Sequence, residues 1–169
     1  AGLALRLADL DGALRSVALV GWTTLGFGLL LWIADRFGVA ARAAESWSPR
    51  HAAILGLWQA VALIPGTSRS GICITGARFL GYTRHGAAKL AMLMSIPTIF
   101  ASGSLLAIEV VAGADIAAAR DGAIAAAFAF LAALAALSLM MRLLRSVSFT
   151  PYVLYRIALG MGLLVWAYG

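Results

Sequence analysis

Three stretches of this chain, residues 16–34, 90–108 and 122–141, run for 19 or 20 residues each without a charged side chain. A fourth, residues 151–168, carries Arg156 and no other charge. A helix of about 20 residues is as long as a bilayer core is thick. Four such runs in 169 residues leave too little polar surface to enclose a soluble core. The chain is 63% hydrophobic and 12% charged, whereas a soluble domain is about 25% charged. Mean hydropathy is +0.95. These features predict a single all-α, polytopic membrane domain with about four transmembrane helices.

The formal charge is +6, and all its cationic residues except Lys89 are arginine. In a membrane protein such an excess sets topology and meets anionic headgroups. Nucleic acid is not an expected partner, because there is no soluble basic face and no Cys/His metal module. The single cysteine, Cys73, excludes an internal disulfide. The first apolar run follows the mixed-charge stretch 1–15, with Arg6, Asp9, Asp11 and Arg15. That stretch reads as an interfacial turn or helix, and no signal peptide is expected. A chain starting at Ala1 is expected to be a fragment or a processed product.

Residues 52–64 are apolar but number only 13, which reaches about 20 Å and cannot cross. Pro65 is expected to end that helix. After "GTSRSG", a second short piece, 71–80, runs to Gly81. Two half-length helices around a polar Gly/Pro break predict a re-entrant helical hairpin over 52–80. Non-helical backbone at membrane depth is tolerated only inside protein or along a polar cavity. Pro97 is expected to kink the 90–108 span, and the alanine-rich 122–141 span suits close helix packing. Trp166 and Tyr168 belong at the far aromatic belt.

With that hairpin, loops 35–50, 81–89 and 142–150 share one side. They carry Arg36, Arg42, Arg50, Arg84, Lys89, Arg142 and Arg145. Loop 109–121 holds Glu109, Asp115 and Asp121 against Arg120. The basic side is therefore cytoplasmic, and the hairpin tip rises from it to mid-membrane.

The tip reads "PGTSRSG", residues 65–71. An arginine at that depth costs about 2.5–3.5 kcal/mol unless it meets an anion or water. No carboxylate lies in the neighbouring apolar runs. Thr67, Ser68, Ser70 and the backbone N–H groups near Gly66 and Gly71 stand where the second half-helix begins. A helix N-terminus with hydroxyls and an arginine is an anion site, and the guanidinium fork suits phosphate. The alternative is a structural turn whose arginine snorkels or meets a carbonyl.

"LIPGTSRSGICITGARFLG", followed by "SIP" and "SFTPYVLYR", resembles the undecaprenyl pyrophosphate phosphatase family, the bacitracin-resistance membrane proteins. The family signature Pro-Gly-x-Ser-Arg-Ser-x-x-Thr falls on Pro65, Gly66, Ser68, Arg69 and Ser70, with Cys73 in place of the threonine. A thiol is the weaker donor. The resemblance covers about residues 52–169 and, more loosely, the rest. It implies removal of the terminal phosphate from a C55 lipid pyrophosphate, giving the carrier recycled in cell-wall synthesis. It implies an inverted-repeat fold with two re-entrant hairpins, in the bacterial inner (cytoplasmic) membrane. Arg69 and Ser68 are then the catalytic candidates, and Gly66, Thr67, Ser70, Gly71 and Cys73 the substrate-binding ones.

The family's other signature, with paired glutamates and a Ser-Ser-Thr-Gly-His run, is absent, and no Glu-x-x-x-Glu pair occurs. The chain is accordingly expected to be the C-terminal part of a longer enzyme. Its partners would be the polyprenyl pyrophosphate lipid, the membrane and the missing N-terminal half or a second copy (a homodimer). A divalent cation, magnesium or calcium, is expected, with ligands outside this chain; none of its own residues is a metal candidate. Functions outside hydrolysis are a lipid-phosphate transporter built on the same broken helices, or a structural membrane subunit.

Other polar residues read as structural. His51 and His85 flank the hairpin at headgroup level. A lipid-phosphatase pattern with histidine six residues after the arginine fails, because Thr75 stands there. Arg78 reads as a snorkelling or interface residue at the hairpin base. Arg156 is open between helix-to-helix hydrogen bonding and substrate contact, and Gln59 between bonding across the hairpin and facing a cavity.

The topology is checked by introducing cysteines into a Cys73→Ser background. Loops 36–50, 81–89 and 142–150 are expected to label from one face, the cytoplasmic one. Labelling of 36–50 and 81–89 from opposite faces would mean that 52–80 crosses the membrane.

Overall fold

The structure, a computed structural model, describes residues 16–112, 116–144 and 147–169. The expectations for residues 1–15, Asp115, Arg145 and the side chain of Glu109 concern positions outside those described. The elements are α1 (Val17–Phe37), a 3-10 turn (Ala44–Ser46), α2 (Pro49–Val61), α3 (Arg69–Phe79), α4 (Arg84–Ala112), α5 (Ile116–Leu143) and α6 (Thr150–Tyr168). Four stretches are long and apolar enough to cross a membrane: α1, Arg84–Leu105, Arg120–Leu143 and α6. The protein is all-α among the described residues and a multi-pass membrane protein. The helices divide into two compact units, one up to Met92 together with Val147–Gly169, the other Leu93–Ser146.

In the first unit, α1 packs most extensively on α6, then on α3, and α2 packs on α3. Ser16 caps α1 by accepting from the Leu19 N–H at 3.2 Å, and Ser48 caps α2 with Pro49 in its first turn. Pro151 stands in the first turn of α6. The α1–α6 contact is as close as backbones allow. A Cβ on Gly21 would lie 3.3 Å from the Gly160 carbonyl, and one on Gly160 3.1 Å from that of Gly21. Such small-residue crossings let membrane helices gain van der Waals contact without a hydrophobic drive.

Helices α2 and α3 form an antiparallel pair. Trp58 lies against Gly76 and its ring centroid is 5.9 Å from that of Phe79. Cys73 Sγ donates to Gln59 Oε1 at 3.6 Å, a bond across the pair. Helix α2 ends at Val61, four residues before Pro65. Residues 62–64 instead make i→i+3 bonds, such as Ile64 N–H to the Val61 carbonyl at 3.1 Å. Pro65 disfavours α geometry in the residue before it, so the chain tightens early.

The open end of the pair is fastened to α1, α4 and α6 by Asp35, which is 6% exposed. Arg84 grips its carboxylate with two bonds, at 2.7 and 3.0 Å. Arg78 Nε lies 3.4 Å from Oδ1, and the Phe149 N–H donates to Oδ2 at 3.3 Å. Arg78 is 3% exposed, so it is a buried staple and does not snorkel. Its remaining N–H groups donate to the carbonyls of Tyr82 (2.7 Å), Asp35 (3.0 Å) and Gly38 (3.1 Å). Arg42 Nη1 meets His51 Nε2 at 2.9 Å, and His51 Nδ1 meets the Tyr82 hydroxyl at 2.6 Å. Arginine can only donate, so Nε2 accepts and the ring proton sits on Nδ1. On the surface, the Lys89 ammonium beside Glu45 holds that carboxyl below the usual range.

The second unit holds the rest of α4 and α5. Pro97 lies inside α4 without ending it. No residue in the span window of α5 is buried, so its alanine face is uncovered among the described residues.

Asp35→Ala removes the carboxylate from a buried guanidinium and is expected to cost about 3–5 kcal/mol. Arg84→Ala removes a side chain that is 40% exposed and should cost about 1 kcal/mol. Unfolding in detergent micelles measures both. A loss under about 1 kcal/mol for Asp35→Ala would mean that carbonyls alone suffice for Arg78.

Candidate functional site

The α2–α3 turn leaves regular structure in an apolar setting, so its carbonyls need donors. They find them on α1 and α6. The Thr23 hydroxyl donates to the Pro65 carbonyl at 2.6 Å and that of Thr24 to the Gly66 carbonyl at 3.2 Å. Arg156 Nη2 donates to the carbonyls of Gly66 (2.7 Å), Thr67 (3.2 Å) and Thr24 (3.3 Å). Arg156 is 5% exposed and forms no ion pair among the described residues.

Two residues of the turn have positive φ. Gly66 is at +85°, and a Cβ there would meet Thr23 Oγ1 and lie 2.7 Å from the Val20 carbonyl. Ser68 has φ 64° and ψ 109°, a strained conformation for an L residue that costs about 1–3 kcal/mol and needs support. Ser68 is also the N-cap of α3. Its Oγ accepts from the Gly71 N–H at 3.3 Å and lies 3.0 Å from the Tyr152 hydroxyl. Arg156 Nη1 donates to that hydroxyl at 3.4 Å.

The seven residues singled out in the sequence separate by exposure. Gly66, Ser68, Arg69 and Ser70 are half-buried, and Thr67, Gly71 and Cys73 are buried. Thr67 is 1% exposed and its hydroxyl has no partner among the described residues. Cys73 faces Gln59 inside the hairpin. The N–H groups of Ser68, Arg69 and Ser70 have no acceptor among the described residues. The Arg69 guanidinium likewise has neither hydrogen bond nor ion pair among them. Free amides, a hydroxyl and an unpaired guanidinium at the start of a helix can bind and polarise a phosphate group.

No group of three or more His, Cys, Asp or Glu among the described residues could hold a metal ion. The buried carboxylate, Asp35, is engaged by two arginines at the opposite end of the hairpin. The described residues therefore do not fit a divalent cation.

Arg156 was visible in the sequence as the one charge in its apolar run. Its bond to the Thr24 carbonyl is the helix-to-helix kind, and its bonds to Gly66 and Thr67 add the turn. Thr23 and Thr24 carried no sequence signal beyond being polar in an apolar stretch, and Tyr152 only that of lying in "SFTPYVLYR".

Residues 1–162 match the family described as bacitracin resistance protein BacA. An undecaprenyl-diphosphatase of Ruegeria pomeroyi is 68% identical over 168 residues, 99% of this chain and 63% of that protein. One of Dinoroseobacter shibae is 67% identical, over 99% of this chain and 62% of its own length. One of Maricaulis maris is 46% identical over 94% and 60%. The chain thus spans less than two thirds of the length of these relatives.

Gly66→Ala forces a Cβ into the α1 backbone at a positive φ and is expected to destabilise the fold by about 1–3 kcal/mol. Gly56→Ala, where a Cβ would meet nothing within 4 Å, should be neutral or stabilising by up to about 1 kcal/mol. Melting of the two variants in one detergent tests the contrast.

Proposed function

The chain belongs to the BacA family of bacitracin resistance proteins, and from that membership we propose that it supplies the phosphate clamp of a membrane hydrolase. The hydrolase converts undecaprenyl pyrophosphate to undecaprenyl phosphate, the lipid carrier of cell-wall synthesis. The relatives named above bear the name of that activity. The observation that carries the proposal is Arg69, uncompensated among the described residues beside the free amides of Ser68, Arg69 and Ser70.

In this proposal the pyrophosphate lies at the start of α3. Arg69 grips the phosphoryl oxygens with its fork and stabilises the charge that builds on them. The free amides take further oxygens, and Ser68 donates its hydroxyl proton to another. Ser68 is a donor and not the nucleophile, because no base lies beside it among its hydrogen-bond partners. Water attacks the terminal phosphorus, the bridging P–O bond breaks, and inorganic phosphate leaves the lipid monophosphate. Groups outside the described residues position that water. A divalent cation, magnesium or calcium, would be bound by carboxylates from an N-terminal segment or a second copy and would supply further charge neutralisation.

We further propose that α2 and α3 form a re-entrant hairpin in the bacterial inner membrane, with its base on the cytoplasmic side. Their 13 and 11 residues reach about 20 and 17 Å, short of a crossing. The base meets α1 at Asp35 and Gly38, and the tip meets it at Thr23 and Thr24, well inside a 21-residue span.

Phosphate release from a polyprenyl pyrophosphate in detergent tests the function. This chain alone is expected to release none. Joined to the N-terminal segment of the Ruegeria pomeroyi relative it should turn over, and Arg69→Lys in that form should lose about 100-fold or more. Lysine keeps the charge and loses the fork. Near-normal turnover with lysine would overturn the clamp. Pyrophosphate binding without release would point to a lipid-phosphate transporter.

A further inference from the structure

Arg156 is a buried cation whose described hydrogen bonds all go to neutral oxygens. Substrate contact is not required to explain it, yet a helix-to-helix staple needs only the Thr24 carbonyl. Its other bonds converge on the turn and on Tyr152, and these are the groups that set the geometry of the anion site. We propose that Arg156, acting through the turn and through Tyr152, is the positioning residue of the site. It aims the Ser68 amide and the Ser68 hydroxyl at the anion and lends the site a second positive charge. This inference rests on the anion-site reading above and goes beyond it.

Two geometric facts support the aim. In a trans peptide the C=O and the following N–H point in opposite directions. By drawing the Thr67 carbonyl toward α6 at 3.2 Å, Arg156 turns the Ser68 N–H the other way, where it has no acceptor among the described residues. The hydroxyls carry the second effect. Arg156 Nη1 donates to the Tyr152 oxygen, so the Tyr152 proton is free to go to Ser68 Oγ. That oxygen already accepts from the Gly71 N–H. With both its acceptor positions filled, Ser68 directs its own proton outward, and each bond in such a chain strengthens the next.

The charge has a separate consequence. Arg78, the other deeply buried arginine, is offset by the Asp35 carboxylate. Arg156 is hydrogen-bonded without being neutralised, so its field reaches the α3 N-terminus. A Cβ on Gly71 would stand 3.7 Å from Arg156 Nη1, which places the charge within one residue's width of the helix start. In an apolar setting that field is weakly screened.

The test uses the chain joined to the N-terminal segment of the Ruegeria pomeroyi relative, in detergent, with Arg156→Lys and Tyr152→Phe, each alone and combined with Ser68→Ala. Three readouts are taken: kcat and KM for phosphate release from a polyprenyl pyrophosphate, the melting temperature, and the melting shift produced by inorganic pyrophosphate. Lysine keeps the charge and cannot span three carbonyls. Arg156→Lys is expected to lower kcat about 10- to 100-fold, because small misplacements of reacting groups cost that much. Tyr152→Phe should lower it about 3- to 10-fold, the loss of one hydrogen bond, with melting unchanged. When Ser68 is already alanine the Tyr152→Phe loss should vanish and the Arg156→Lys loss should shrink in part, because the hydroxyl route is then closed while the amide route remains. The pyrophosphate-induced shift should fall in both variants.

Losses that simply multiply with that of Ser68→Ala would overturn the proposal. So would a lower melting temperature with kcat and the pyrophosphate shift intact, which marks a structural staple only. If Arg156→Lys does not fold, Tyr152→Phe decides by the same two criteria. If the wild-type protein binds pyrophosphate without releasing phosphate, the phosphatase reading fails and the melting shift alone decides the role of Arg156. If it does neither, both fall.

Discussion

Backbone that leaves a helix inside an apolar environment must find partners, and the turn between α2 and α3 finds its partners on other helices. Thr23, Thr24 and Arg156 satisfy the carbonyls of Pro65, Gly66 and Thr67. Unsatisfied, each carbonyl would cost several kcal/mol in hydrocarbon. The hairpin therefore cannot be assembled apart from α1 and α6. The close Gly21–Gly160 crossing brings those two helices near enough for threonines and an arginine on different elements to reach one loop.

The same fold treats its arginines in opposite ways. Arg78 is enclosed at the hairpin base, where a carboxylate and three carbonyls occupy it. Arg69 stands at the other end of α3, half-buried and uncompensated among the described residues. An eleven-residue helix thus has a neutralised arginine one residue before its C-terminal end and an open one at its first position. The helix dipole adds to the contrast, since its positive end coincides with Arg69. Positive potential gathers where an anion would be held, and the base carries the mechanical fastening.

Family membership fits this division of labour. The chain covers about 63% of the length of the Ruegeria pomeroyi relative, and its described residues place an unpaired arginine at a helix N-terminus with no carboxylate cluster among them. Phosphoryl transfer needs both charge stabilisation and a positioned nucleophile. In the proposed function the described residues supply the first.

Much of the architecture could be read from residue order alone. Apolar run length located the spans, because crossing a bilayer is a one-dimensional constraint on helix length. Short apolar pieces around "PGTSRSG" located two short helices, and glycine, proline and hydroxyl chemistry marked the turn between them. The resemblance singled out Arg69 and Ser68. Residue order could not tell which arginine is enclosed and which is open. Arg78 looked like a snorkelling residue, yet it is buried by Asp35, 43 positions away. Nor could residue order assign Arg156 to a loop 89 residues earlier, or Tyr152 to Ser68. Run length and turn chemistry are local properties of the chain and survive in the sequence. The partner of a buried charge is set by which helices cross and at what height, and only the packed structure brings those distant residues together.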